Sequence, residues 1–442
     1  MNLSPALVKQ SLALFAAAVL AGCAGAGASP SRHGVFAASA RTAADSATGT
    51  PGESATGLPG ESATGLPGES ATGLPGESAT GLPGESATGL PGESATGLPG
   101  ESATGLPGGQ FACPGVPSTG TAACTMTDNV NVPPIANPAL PAAAIPGLHP
   151  ADLQSAYALP AQNAGATVAV VDAFDDPTAE ADLAIYRAAF GLPACTSANG
   201  CFRKVNQRGQ TGSYPAANAG WSEETALDLE MVSAACPRCS ILLVEADSAL
   251  IDDLGAGVDT AAAYGAAAIS NSYYAVEWKT ESNEEPHYRH SGIAITASSG
   301  DRGYPSYPAA SRYVTAVGGT SLTGGAGGWT EAAWKYTGHG CSKMIWRPSW
   351  QPSSCRGRST VDMAAVADPQ TGVATFSTQG GGWFVAGGTS VGAPLIAAAY
   401  ALSGVPAGPW YSYGRPQGFR AVGAAGYQSI TGLGTPNGVA SL

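Results

Sequence analysis

Basic side chains are scarce in this chain of 442 residues: 19 Lys and Arg stand against 32 Asp and Glu, a formal net charge of −13. Such a balance offers phosphate backbones little counter-charge, which argues against nucleic acid as a partner. Part of the acidic excess is local, because Glu53, Glu61, Glu69, Glu77, Glu85, Glu93 and Glu101 all belong to one repeat. Long apolar runs are also missing. The run from Ser11 to Leu20 is too short to span a bilayer, and no later segment has the composition of a transmembrane helix. Histidine is limited to five residues, which narrows the choice of catalytic base.

What is present at the N-terminus is Lys9, the short apolar run and then Leu20-Ala21-Gly22-Cys23. Residues 1–22 read as a bacterial lipoprotein signal with lipidation at Cys23. An ordinary signal peptide in which Cys23 is incidental is the alternative. The expectation is an exported chain, lipid-anchored to the cell envelope and facing the periplasm or the exterior. The other eight cysteines fall into close sequential neighbours: Cys113 with Cys124, Cys195 with Cys201, Cys236 with Cys239, and Cys341 with Cys355. In an exported chain these read as four local disulfides. Cys236-Pro237-Arg238-Cys239 could instead form a redox motif or half a zinc site. It does not open a helix after a strand, however, and no second Cys or His pair sits at ligand spacing.

From Gly52 to Pro107 the octapeptide Gly-Glu-Ser-Ala-Thr-Gly-Leu-Pro recurs seven times unchanged. The unit lacks the apolar content to bury a core, so residues 23–109 read as a flexible stalk spanning roughly 50 Å on average. Periods near this length also mark β-helices, but one Leu per unit and a Pro-Gly in each count against that. Residues 110–442 are left as one large domain. A proline- and alanine-rich stretch from Pro133 to Pro146 precedes regular structure, which is expected from about Ala151. Strands are expected at Thr167–Asp172, Ser240–Glu245, Ala267–Ser272, Ile293–Ser299 and Tyr313–Val317. Helices are expected at Ala179–Phe190, from a Ser222 cap to about Ala235, at Ile251–Tyr264 and at Ala393–Leu402. Alternation of this kind predicts a doubly wound, mainly parallel α/β sheet with helices on both faces. Functional groups in such folds gather where strands end and helices begin.

Gly387-Gly388-Thr389-Ser390-Val391-Gly392-Ala393-Pro394 places a serine in the first turn of an apolar helix, where backbone N–H groups and the dipole favour an oxyanion. A serine that merely caps a core helix would look the same. As a nucleophile it needs a base. None of His33, His149, His287, His290 and His339 lies on the helix after the first strand, where a triad of Asp172, a histidine and Ser390 would require one. Glu224 and Asp228 stand four apart and share a helix face instead, so the two carboxyls can hold one proton between them. Glu224 then takes the serine proton while Asp228 orients it. On an ordinary solvated helix the same pair would be decoration. Ser299-Gly300-Asp301 ends a strand and places a third carboxyl.

Together these pieces resemble the sedolisin family of serine-carboxyl peptidases, over about Asp152 to Asn437. Gly388, Thr389, Ser390 and Pro394 match its Gly-Thr-Ser-x-x-x-Pro motif, and Glu224 and Asp228 match its Glu-x-x-x-Asp helix. Asp301 matches its oxyanion-hole aspartate, ahead of Val317-Gly318-Gly319-Thr320. The resemblance implies a subtilisin-like fold, a Ser-Glu-Asp triad and protein or peptide substrates. An ionised Asp301 would repel an oxyanion, so its role requires a neutral acid and points to acid pH.

The chain departs from that pattern in three places. Family members usually carry a C-terminal calcium site, but no Asp or Glu follows Asp368, and Gln428 stands where an acid is expected after Gly426-Tyr427. No calcium or other cofactor is therefore expected. Many relatives begin with a large folded propeptide, for which the residues between stalk and Asp152 are too few. Tyr274 stands where relatives tend to have glycine beside the cleft, either reshaping it or lying idle on the surface. The chain is read as a monomer. Two other functions compete: a tethered binding protein that keeps the peptidase fold without activity, and a serine esterase using His339.

Overall fold

The structure, a computed structural model, describes residues 105–442 apart from 161–165, 326 and 406–407, together with six Ala-Thr strands between positions 47 and 88. The signal, Cys23 and the rest of the stalk lie outside the described residues. Two compact units divide the chain at Ala95 and Thr96. In the first, Ala47–Thr48 pairs in parallel with Ala63–Thr64 and that with Ala79–Thr80, while Ala55–Thr56, Ala71–Thr72 and Ala87–Thr88 form a second ladder. Each step joins alternate octapeptides.

The second unit is built on an eight-stranded sheet. Its order is Phe202–Asn206, Ser240–Ala246, Thr167–Ala173, Ala268–Asn271, Ala294–Ser298, Thr315–Gly325 and Gly328–Ala333, with Met363–Val366 also paired to Thr315–Gly325. Only Gly328–Ala333 runs antiparallel. The central strand Thr167–Ala173 is Val-rich and buried from Val168 onward, as a strand covered on both faces must be. This is the expected mainly parallel α/β architecture.

On one face lie two helices that are buried nearly all round. Ala219–Ala235 is buried from Trp221 to its end except at Glu223. Its cap is Asn218, whose side chain accepts from Trp221 N, and not the expected Ser222. Ser222 sits one turn inside and donates back to the Asn218 carbonyl at 2.9 Å. Thr389–Ser403 begins four residues earlier than its apolar stretch suggested, because Gly388 at φ 90° turns the strand Gly382–Gly387 directly into it. Gly404, left-handed at φ 67°, ends it. The strand at Thr315–Gly325 likewise outruns the expected Tyr313–Val317, continuing into a hairpin with Gly328–Ala333.

Among the described residues of the second unit, regular structure starts at Gly105 and not near Ala151. Short strands at Gly105–Leu106, Gly109–Phe111, Ala123–Cys124 and Thr127–Asn129 precede the first helix, Pro150–Ala156. Each is too short to show a period of its own, and their partners are distant in sequence. Thr127 pairs with Gly387, and Cys124 with Tyr273. Disulfides join Cys113 to Cys124, Cys195 to Cys201, Cys236 to Cys239, and Cys341 to Cys355. Among the described residues no helix is long and apolar enough to cross a membrane.

Candidate active site

Four elements deliver side chains to one place. Ser390 is the second residue of the helix Thr389–Ser403, and Glu224 and Asp228 lie one turn apart on Ala219–Ala235. Asp301 follows the strand Ala294–Ser298 through Gly300, whose φ of 95° makes the sharp exit that glycine allows. Asp172 sits near the end of the central strand. All five are buried.

Asp301 is fixed by the helix that carries the serine. Its Oδ1 accepts from the Thr389 backbone at 2.9 Å and from the Thr389 hydroxyl at 2.8 Å, and its Oδ2 accepts from the Thr127 hydroxyl at 3.3 Å. Burial pushes its carboxyl up to about 7, against the downward pull of those bonds. Below neutrality it is a neutral acid, able to donate a hydrogen bond to a developing oxyanion.

Glu224, Asp228 and Asp172 form a cluster with too little to satisfy three charges. Both carboxyl oxygens of Asp228 and of Asp172, and Oε1 of Glu224, lack a hydrogen-bond partner among protein atoms. Burial holds Glu224 well above the carboxylate range. Asp172 and Asp301 push the same way, while the nearby Ser390 hydroxyl and the Met126 N–H favour the ionised form. Asp228 is raised by burial, then by Asp172 and Glu224. Asp172 is raised to about 7, mainly by burial. Carboxyls this close and this dry share protons, so the cluster can take up and return one proton at little cost.

Residues 113–129 cross over Ser390. Thr125 Oγ1 lies 2.6 Å from Ser390 Oγ and donates to Ser298 Oγ at 2.8 Å. Either hydroxyl can donate in the shorter bond, and Ser390 has one proton to divide between Thr125 and Glu224. Met126 donates its backbone N–H to Glu224 Oε2 at 2.8 Å. A side chain at Gly388 would strike the Thr125 carbonyl oxygen at 1.8 Å and Asp301 Oδ2 at 2.6 Å. Those two oxygens therefore face each other across a gap that only glycine leaves open.

Tyr274 is buried, which rules out an idle surface residue. Its hydroxyl accepts from Arg302 Nε at 2.7 Å. Arg302 in turn donates to the Gly115 carbonyl at 3.0 Å and lies 4.3 Å from the centre of the Phe111 ring. The aromatic ring thus helps to hold the crossing segment. Sequence reasoning missed Thr125, Arg302 and the place of Asp172 in the carboxyl cluster. The sole signal for Asp172 was an acid ending an apolar strand.

Among the described residues, the histidines are engaged elsewhere. His339 Nδ1 donates to the Thr337 carbonyl at 2.8 Å. His287 and His290 both pair with Asp259, at 2.7 and 3.0 Å. Asp252, Glu284 and His287 could bring three ligand atoms together near the surface, away from Ser390. Near the C-terminus Gln428 and Gly432 exchange two backbone hydrogen bonds, and no carboxylate follows Asp368 to supply a calcium ligand. A cavity of about 590 Å³ lined by Asp175, Glu180, Lys204 and Tyr214 has none of the catalytic candidates on its wall.

No protein-family profile matches the chain. Kumamolisin from Bacillus sp. (strain MN-32) is 37% identical over 134 residues, 24% of this chain and 24% of that protein, so the match spans about a quarter of the relative's length. Among solved structures, Pseudomonas sedolisin (serine-carboxyl proteinase) complexed with two molecules of pseudo-iodotyrostatin superposes with a TM-score of 0.58 at 22% identity. It covers 66% of this chain and 96% of that one. The S41 psychrophilic protease is more distant, at a TM-score of 0.45 and 17% identity over 64% of this chain and 96% of that one. The fold is subtilisin-like, and the resemblance to the sedolisin family drawn from the motifs holds.

Proposed function

We propose that this chain is a serine-carboxyl endopeptidase. Ser390 is the nucleophile, Glu224 its base, Asp228 and Asp172 the carboxyls that share the proton, and Asp301 the neutral donor to the oxyanion. The observation that carries this reading is the convergence of Ser390, the Glu224 cluster and the Asp301 carboxyl on one peptide unit, Thr125–Met126. An esterase using His339 would need that ring beside Ser390, and it is bonded to Thr337.

In this reading Ser390 Oγ adds to a carbonyl carbon as its proton passes to Glu224, and the new oxyanion takes a hydrogen bond from Asp301. Glu224 then returns the proton to the departing amide nitrogen, and water releases the acyl group from Ser390. The requirement for a neutral Asp301 supports an acid pH optimum. The sequence before the domain supports export and a lipid anchor at Cys23, and the net charge of −13 speaks against a nucleic-acid partner. The residues after Asp368 support a fold that does without calcium. A non-catalytic binding lipoprotein is the second reading, favoured by the complete burial of Ser390.

The test is digestion of a denatured protein across acid to neutral pH. Ser390-dependent cleavage supports the peptidase. No cleavage under any condition by a folded chain overturns it in favour of the binding protein.

A further inference from the structure

We propose that the disulfide-closed hairpin of residues 341–358, with the short helix Pro409–Tyr413 beside it, is a docking face for an anionic lipid surface. An anchor at Cys23, proposed above, would bring such a surface within reach. The experiment below removes the lipid, so that the two readings stand or fall separately.

The charge of this face is opposite to that of the chain. Residues 341–358 hold Lys343, Arg347, Arg356 and Arg358 without an Asp or Glu, and residues 369–442 hold Arg415 and Arg420, again without an acid, in a chain of net charge −13. Arg358 is buried and paired with Asp362, so it belongs to the core. Among the described residues no ion pair engages Lys343, Arg347, Arg356 or Arg415. Arg356 lies 4.7 Å over the Trp346 ring, Arg415 lies 3.6 Å over the Tyr411 ring, and Arg347 donates to the Gln351 carbonyl at 2.7 Å. A guanidinium resting on an aromatic face keeps N–H donors for a phosphate. Glu277 meets Lys343 at its backbone N–H, at 3.1 Å, and not at its ammonium.

Large apolar side chains stand exposed among these cations. Trp346 is 59% exposed and Trp410 52%, the two exposed tryptophans among the described residues, and Met344 is exposed as well. The strand Cys341–Trp346 buries Ser342 and Ile345 and turns Lys343, Met344 and Trp346 outward, its pairing with Gly357–Ser359 broken by a register shift. Irregularities of that kind re-aim side chains out of the pleat. Cys341–Cys355 closes the hairpin, so the ring and the cations are placed before any ligand arrives. Tryptophan settles at headgroup depth in a membrane, where its ring is apolar and its N–H wet, while nearby Lys and Arg meet anionic headgroups. A recess of about 330 Å³ with Lys343, Met344, Trp346 and Arg356 on its wall gives a headgroup phosphate room between two cations.

The hairpin and the short helix adjoin. The Trp350 and Tyr413 rings are 5.0 Å apart, and Gln351 donates to the Tyr413 hydroxyl at 3.3 Å. Pro409–Tyr413 follows the C-terminal end of Thr389–Ser403, about 20 Å of helix away from Ser390. That part of the face therefore lies at the opposite end of the helix from the nucleophile, and docking there leaves the Ser390 end uncovered. An acidic protein is the competing occupant. The anchor favours lipid, because a surface already held nearby is captured by few contacts.

The experiment takes the processed chain from Cys23 onward with Cys23→Ala, so that no lipid is attached, and compares it with the same chain carrying Lys343→Glu and Arg356→Glu together, or Trp346→Phe. Each is shown to be folded by circular dichroism and sedimented with vesicles of phosphatidylglycerol and phosphatidylcholine, or of phosphatidylcholine alone, at low and high salt. The expected result is binding to the anionic vesicles that falls as salt rises and is absent from phosphatidylcholine alone. The double charge reversal should weaken it about tenfold or more. Trp346→Phe should still bind but lose part of the tryptophan quenching that brominated lipid causes in the parent chain. No binding to anionic vesicles, or equal binding by the charge-reversed chain, overturns the inference. Binding of polyglutamate through Lys343 and Arg356 without binding of vesicles also overturns it, in favour of an acidic protein. The mass of the exported wild-type chain reports the lipid at Cys23 on its own, so its absence would remove the anchor and not the vesicle result.

Discussion

Met126 donates its backbone N–H to Glu224 Oε2 at 2.8 Å, so the carboxyl assigned as base already holds a peptide nitrogen of the kind it would protonate. Glu224→Gln keeps an acceptor for that N–H and removes the ability to carry a proton. We expect kcat/KM toward a peptide substrate to fall by about 10²–10⁴-fold, the usual worth of a positioned acid–base group. The melting temperature should not fall, because a buried ionisable group without full hydrogen bonding is replaced by a neutral one. An unchanged kcat/KM would remove Glu224 from the mechanism.

Asp301 sets the alkaline side of the pH profile. Burial raises its carboxyl to about 7, so the neutral form persists below that pH and activity should decline as pH rises through it. Asp301→Asn supplies an amide donor that does not titrate. The variant should retain part of the acid-pH rate and lose the decline attributable to this group. A wild-type optimum above neutrality that survives in Asp301→Ala would contradict the assignment.

Stability should follow the same carboxyls. Asp301, Asp172 and Asp128 are raised to about 7, and Glu245 and Glu281 to about 8, in each case chiefly by burial. The folded chain holds protons that the unfolded chain releases near pH 4. Their contribution is fully present below about pH 4 and is lost as pH rises through 7 to 8. The Tm of the Ser390→Ala chain should therefore fall between pH 4 and pH 8, and a rise over that interval would contradict this account.

Calcium should be dispensable. With no carboxylate after Asp368 and Gln428 paired to Gly432, the C-terminal loop supplies no anionic ligand. Adding a chelator should leave Tm unchanged, whereas a large drop would show that a calcium site exists.

Much of the site was legible because its spacing is local. A spacing of four from Glu224 to Asp228 sets both on one helix face, and glycines around Ser390 and Asp301 mark the two sharp exits from strands. The middle of the parallel sheet was legible for the same reason, since its strands are apolar runs of their own, whereas the edge strand Phe202–Asn206, carrying Arg203 and Lys204, was not. The crossing segment was not. Its strands are two and three residues long, carry no period, and owe their existence to Tyr273–Tyr274 and Ala386–Gly387, far along the chain. The role of Tyr274 was hidden likewise, because Arg302 and the Gly115 carbonyl meet it only in three dimensions. Helix starts moved where a side chain competed for the cap: Asn218 took the role expected of Ser222.

The central claim is that Ser390, and no histidine-activated group, performs peptide hydrolysis. Its most direct measurement is the rate at which wild type, Ser390→Ala and His339→Ala digest a denatured protein at acid pH, with each chain shown to be folded by circular dichroism. The account predicts digestion by wild type and by His339→Ala, and its loss in Ser390→Ala. Full digestion by Ser390→Ala, or loss in His339→Ala alone, would contradict it.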